Sequence, residues 1–388
     1  MQSDLPTHHR ALVLDSIGGD IQVKSLRTPR PDHGSAIIRV AAAGILSYHR
    51  EIYNGERHYA FPTPLVPGMS AIGHIAALGP DATSLQIGQL VYVDCVIHGR
   101  DDPSNLFLTA IHDGLTQGSK KLMRDVWRDG CFAEYAKMPL ENCIPLDEER
   151  LCSELGYSLE QLMYTCYLLV PYGGLRDIGL EAGETIVVCP ATGGYGGAGV
   201  LVDPCRNLHA VQETDHVLQV AIAIGARVIA FGRNQTELAR LKEHVVKGFP
   251  RADIEAVVMT GEEATDAAAL KVFGPIDAIL DFSPSAASKS LHVRSAITAL
   301  RRGGRVSLMG WNENVMHPSV MGRNITLKGK LMYERDDMLQ FVKMLERGLF
   351  PRADQLVDVQ TFGLEDWKAG LDAGADHIGV GRHVVFVP

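Results

Sequence analysis

Residues 187 to 200 of this 388-residue chain read VVCPATGGYGGAGV, an apolar run that breaks into a cluster of glycines where a helix should begin. The pattern is that of a strand-to-helix turn that holds a dinucleotide. A Cβ there would clash with the chain reversal and keep a pyrophosphate from the N–H groups of the helix N-terminus. Gly193, Gly194, Gly196 and Gly197, with Ala191, Thr192 and Tyr195 around them, are therefore the candidate cofactor cradle. Glycine clusters also mark ordinary turns, so the flanking sequence has to carry the assignment.

The flanks carry it with an interruption. Joining Val200 directly to Gln219 produces strand, glycine turn, amphipathic helix ending at Gly225, and a second strand at 227 to 231, the βαβ unit of a parallel sheet. As written, the helix is cut after about two turns by a polar segment containing Pro204, which cannot sit in a helix interior. Residues 201 to 218 therefore read as an insertion into the cofactor-binding helix. It is either a surface excursion or translated non-coding sequence. Its position inside a ligand-holding element, away from exposed loop tips, favours the second origin.

The rest of the chain divides by periodicity. Residues 10 to about 155 carry short β-like runs at 11–14, 35–40, 71–79 and 89–94, separated by turns. From 158 to 330, strand-like runs at 185–189, 227–231, 254–259, 278–282 and 305–309 alternate with helical patterns, the signature of a doubly wound parallel sheet of Rossmann type. A helix at 336–348 and a strand at 383–387 should return the tail to the first domain. The expected division is 1–157, completed by about 331–388, and 158–330.

Composition narrows the function classes. The chain is long enough for two domains, and 46% apolar with 21% charged residues are globular values. A net charge of −9 without a basic block argues against nucleic acid and anionic membranes as partners. The first ten residues lack the apolar core of a signal peptide, and no apolar run reaches membrane-spanning length, so a cytoplasmic protein is expected. Seven cysteines, odd in number and never spaced CxxC, suggest buried thiols in place of a disulfide framework or structural zinc cluster.

The ordered motifs resemble the medium-chain dehydrogenase/reductase superfamily, the alcohol dehydrogenase and quinone reductase group. They are VAAAGI at 40–45 followed by Tyr53-Asn54-Gly55, PLVPGMSAIG at 64–73, IGQLV at 87–91, GCFAEY at 130–135, and the glycine turn. The resemblance covers nearly the whole chain and implies a GroES-like β-rich catalytic domain beside the Rossmann domain. Zinc-dependent members carry a cysteine after Gly-Ile, where this chain has Leu46, and His-Glu where it has Met69-Ser70. A catalytic zinc needs three ligands from Cys, His and carboxylate, which Leu46 and Met69 cannot supply. No cysteine lies between Cys95 and Cys131, where the four-cysteine lobe would fall. No metal is therefore expected. His98, Asp101, Asp102, His112 and Asp113 match no known ligand spacing and read as solvated loop residues.

Without zinc, the hydride acceptor must be activated by a hydrogen-bond donor or by its own conjugation. Tyr48, at the position of the family's proton-relay hydroxyl, and Tyr53 are candidate donors, with His49 a candidate relay. The alternatives are that both tyrosines pack the cleft wall and that His49 caps a turn. After the second Rossmann strand, NAD-specific relatives present an acid to the ribose, whereas here Gly232-Arg233-Asn234 follows Phe231. Arg233 suits the extra phosphate of NADP(H). Met309 and Gly310 should lie near the nicotinamide, and Val170 replaces a threonine often found beside that ring. Leu106, Phe107, Leu108 and Ile111 suggest a partly apolar pocket. The expectation is a zinc-independent NADPH reductase of an activated C=C or C=O bond in a small molecule. The other reading is a form that has lost catalysis. Residues 325 to 331 form an expected edge strand for a homodimer.

Overall fold

The computed structural model describes residues 5–191, 214–284, 287–377 and 381–388. They fall into two units, one running to Cys166 and including Val357–His377 and Arg382–Pro388, the other spanning Tyr167–Leu356. The glycine turn from Thr192 to Gly197 and residues 201 to 213 of the insertion lie outside the described residues.

The first unit is β-rich. Strands β1 (His8–Leu14) and β2 (Ile21–Arg27) make an antiparallel hairpin. The main sheet uses β3 (Ser35–Ile45), β4 (Ala71–Leu78), β5 (Leu90–Val93), β8 (Tyr135–Pro139) and β9 (Cys143–Pro145), while β6 (Val96–His98) pairs with β7 (Leu106–Leu108). β3 is almost wholly buried because β4, β8 and the final strand all pair with it. β4 alternates buried and half-buried positions, the pattern of a sheet with one face on the core. Phe107 and Ile111, expected to line a pocket, are fully buried in the core.

The second unit is the doubly wound sheet expected from the sequence. Its strands are β10 (Thr185–Cys189), β11 (Arg227–Gly232), β12 (Ile254–Val258), β13 (Ala278–Asp281), β14 (Arg305–Leu308) and β15 (Thr326–Gly329), all parallel in the order β12-β11-β10-β13-β14-β15. β10 and β13 are buried at every position, as parallel strands covered on both faces must be. Val187, Ile229, Ile279 and Val306 form the sheet side of a core closed by Val293, Ile297 and Leu300. The chain order reverses between β10 and β13, and ligands of open parallel sheets bind beyond the carboxyl ends of strands at such a reversal.

A helix at Thr214–Ile224 follows the undescribed segment and ends at Gly225, whose φ of +96° suits a residue without Cβ. Leu218, Val220 and Ala221 are fully buried along it. Residues 214 to 218 of the segment read above as an insertion fall within the bounds of this helix, where Leu218 is buried. The tail returns to the first unit. There β16 (Asp358–Phe362) pairs with β17 (Arg382–Phe386), and β17 with β3.

Candidate functional site

In the first unit the candidate site is built on the end of β3 and the short helix His49–Tyr53. Tyr48 stands half-buried at the N-cap of that helix, with the Arg57 guanidinium 4.3 Å from its ring centre and 4.9 Å from that of Tyr59. The next residue points inward. His49 is fully buried against Tyr53 and Phe132, with ring centres 5.4 and 5.5 Å away. Its Nδ1 accepts from the Leu46 N–H at 3.2 Å, and its buried Nε2 has no hydrogen-bond partner among the described residues. Burial, with His383 nearby, holds the imidazole down at about 3, so His49 is neutral at ordinary pH.

Tyr53 is only 2% exposed, and its hydroxyl accepts from the Gly68 N–H at 3.0 Å. Burial pushes its phenol well above the usual value. Gly68 has φ +99°, and a Cβ there would lie 2.5 Å from the Phe132 ring, so the turn before Met69 requires glycine. The structure thus brings Tyr48, His49 and Tyr53 together on one turn of helix, with Tyr48 the least buried of the three. Leu46, Met69 and Ser70 are buried beside them. The Tyr92 hydroxyl donates to Ser70 Oγ at 3.4 Å.

The loop residues considered as metal ligands hold turns instead. Asp102 accepts from the N–H and hydroxyl of Ser104, His98 Nδ1 lies 2.9 Å from the Pro103 carbonyl, and His112 Nδ1 accepts from Gly114 N–H.

In the second unit, Ala191 N–H donates to the Phe231 carbonyl at 2.7 Å, tying the end of β10 to β11. Beyond β11, Arg233 is exposed, while Asn234 caps the helix Gln235–Gly248 by accepting from Thr236 and Glu237 N–H. Among the described residues, no acidic side chain faces Arg233 in an ion pair. Met309 and Gly310 follow β14 half-buried, and both their N–H groups donate to the Asp281 carbonyl at 3.0 Å. Val170 is buried in the helix Thr165–Asp177. Gly174 of that helix lies against Met309, since a Cβ there would sit 2.3 Å from its sulfur.

Sequence reading missed one group. Cys189, Asp281 and His292, all buried, bring ligand atoms within 4.8 Å of one another. Both His292 nitrogens already have hydroxyl partners, Ser283 and Ser290, each at 2.8 Å, so a hydrogen-bond network describes the group better than a metal centre. No local spacing announces it, because its members come from β10, β13 and the start of the helix His292–Ala299.

A parallel sheet of this strand order has the topology of a dinucleotide-binding fold, and the chain adds a β-rich unit built from both of its ends. Residues 32–148 match the alcohol dehydrogenase GroES-like domain, and residues 215–347 match the zinc-binding dehydrogenase model. The chain belongs to the medium-chain dehydrogenase/reductase superfamily, whose members are oxidoreductases using nicotinamide cofactors. It is 25% identical over 359 residues to L-threonine 3-dehydrogenase of Ruegeria pomeroyi, covering 90% of this chain and 92% of that protein. It is 23% identical to acryloyl-coenzyme A reductase of Metallosphaera sedula over 83% of this chain and 90% of that one. A putative zinc-binding dehydrogenase from Sinorhizobium meliloti bound to NADP superposes with TM-score 0.71 at 18% identity, covering 99% and 100% of the two chains.

The family's two prosthetic requirements fit differently. For the dinucleotide, the strand order reverses between β10 and β13, and after β14 Gly310 packs on the Ser283 backbone, where a Cβ would lie 2.1 Å from Ser283 N. For catalytic zinc, the positions offer a hydrocarbon, a thioether and a hydroxyl at Leu46, Met69 and Ser70, a donor set that does not match the metal.

Proposed function

We propose that this chain is a zinc-independent, NADP(H)-dependent reductase that reduces an activated C=C bond or a carbonyl of a small organic substrate. The observation that carries the reading is the buried Leu46, Met69 and Ser70 at the positions where zinc-dependent relatives hold ligands. Bound NADPH supplies the hydride, and the chain's own residues must bind, orient and protonate. Arg233 offers paired N–H donors to a 2′-phosphate, in the place where an acid would select NAD. The NADP-bound neighbour supports this preference, although another fold neighbour, a short chain alcohol dehydrogenase from E. coli, is complexed with NADH.

Tyr48 is the proton donor of choice, since it alone of the three candidates is not fully enclosed. A phenol suits donation to a developing enolate or alkoxide. His49 and Tyr53 then hold the helix start and the Gly68 turn. Acryloyl-coenzyme A reductase among the relatives supports the C=C branch, and threonine dehydrogenase the carbonyl branch.

The mostly exposed β15 is the outermost strand of its sheet and offers an edge for a homodimer. Light scattering on an eluting column that gave a monomer would remove that part of the reading. No described helix is long and apolar enough to cross a membrane. No disulfide joins the six described cysteines.

The experiment is a fluorescence titration with NADPH and NADH of the chain as it stands and of a variant lacking residues 201 to 213. Tight NADPH binding by either supports the reading. Binding by the shorter chain alone would mark the segment as foreign to the enzyme, and failure of both would favour a form without catalysis.

A further inference from the structure

A buried chain of hydrogen bonds sits at the carboxyl ends of β13 and β14. Asp281 Oδ1 accepts from Ser283 Oγ at 2.6 Å and from Ser283 N–H at 3.0 Å. Ser283 Oγ lies 2.8 Å from His292 Nε2, and His292 Nδ1 lies 2.8 Å from Ser290 Oγ. Asp281, Ser283 and His292 are 0%, 3% and 4% exposed.

The partners order the proton of Ser283. As a carboxylate Asp281 only accepts, so the Ser283 hydroxyl gives it its single proton and takes a hydrogen bond from His292 Nε2–H, with Ser290 Oγ facing Nδ1. Among the described residues Asp281 is held through Oδ1 alone, its buried Oδ2 having no partner, while the side chains of Ser283 and His292 have partners at every hydrogen-bonding atom and so hold each other in place.

What the network joins is the bed assigned to the nicotinamide. The Ser283 carbonyl accepts from Trp311 N–H at 2.9 Å, and the Asp281 carbonyl accepts from both Met309 and Gly310 N–H. Gly310 rests directly on the Ser283 backbone, with no room for a Cβ between them. Ser283 is thus held by its backbone to the segment after β14 and by its side chain to Asp281 and His292.

We propose that His292 is a positioning residue for the cofactor: by donating to Ser283 Oγ it fixes the segment after β13, and through it the Met309–Gly310 bed. The inference rests on the nicotinamide-cofactor reading above. It assigns His292 a role in cofactor affinity and none in proton transfer to substrate. A hydrocarbon would fill the first turn of the helix His292–Ala299 equally well, whereas only a donor of this reach can complete the chain to Ser283.

The test is titration of the full chain, wild type, His292→Phe and His292→Gln, with NADPH and NADH, reading dissociation constant and number of sites separately, alongside the melting temperature. Phe keeps ring volume without a donor, and Gln restores one. The expectation is that His292→Phe weakens binding of the preferred cofactor about five- to tenfold at an unchanged number of sites. His292→Gln recovers most of that loss. Wild-type affinity in His292→Phe overturns the inference alone. So does a loss of sites and melting temperature with the dissociation constant unmoved, or a Gln variant no better than Phe. Failure of the wild type to bind either cofactor overturns the underlying reading and the inference with it.

Discussion

The Tyr53 hydroxyl accepts a hydrogen bond from the Gly68 N–H at 3.0 Å, joining the helix that begins the candidate site to the turn that delivers Met69 and Ser70. Both partners are buried, so the bond has no water to replace it. Tyr53→Phe should leave the Gly68 N–H unsatisfied and cost about 1–3 kcal/mol of stability. Urea unfolding measures that loss directly. If Tyr53 only positions, activity per folded molecule stays within about threefold, whereas a drop of about a hundredfold would make it the proton donor.

Tyr48 carries the opposite expectation. If it is the proton donor proposed above, Tyr48→Phe should lower kcat about a hundredfold while leaving the NADPH dissociation constant unchanged, because only the protonation step loses its hydroxyl. Stopped-flow measurement of hydride transfer, compared with its solvent isotope effect, separates this from a binding defect.

The proposed preference for NADP(H) rests on one exposed side chain, Arg233. Arg233→Ala should weaken NADPH binding by roughly ten- to a hundredfold, the worth of charge-assisted hydrogen bonds to a phosphate, with NADH affinity nearly constant. Parallel titrations with the two cofactors check it. An equal loss for both would show that Arg233 does not read the 2′-phosphate.

Acid should destabilise the first unit through two buried imidazoles. Burial lowers His49 and His383 from the usual 6.5 to about 3 in the folded chain. As pH falls through about 6.5 the unfolded chain takes up these protons and the folded chain does not. Stability is therefore complete above that pH and is lost progressively toward about 3. The limiting slope is about 1.4 kcal/mol per pH unit for each histidine. His49→Asn keeps an acceptor for the Leu46 N–H and removes one titration, so its unfolding free energy should fall less steeply between neutral pH and about pH 5.

How much of this could be read beforehand depends on where each signal lives. The strands β10, β11 and β13 were legible almost to the residue, because parallel strands covered on both faces are nearly continuous apolar runs. β16, with the sequence DVQTF and mostly exposed positions, carries no such run and is a strand because β17 lies beside it. Tyr48, His49 and Tyr53 stood out by their place after the first motif. The full burial of His49 did not, since Phe132, which closes over it, arrives from a distant part of the chain. His292 was invisible for the same reason. Its meaning comes from Ser283 and Asp281, which a different strand supplies.

A reductase that uses NADPH and no metal is tested by steady-state oxidation of NADPH and NADH by an α,β-unsaturated ketone, before and after exhaustive chelation. The expected result is turnover with NADPH at a kcat/KM at least about tenfold above that with NADH, unaffected by chelation or added zinc. Activity lost on chelation and restored by zinc, or NADH serving as well as NADPH, would contradict it.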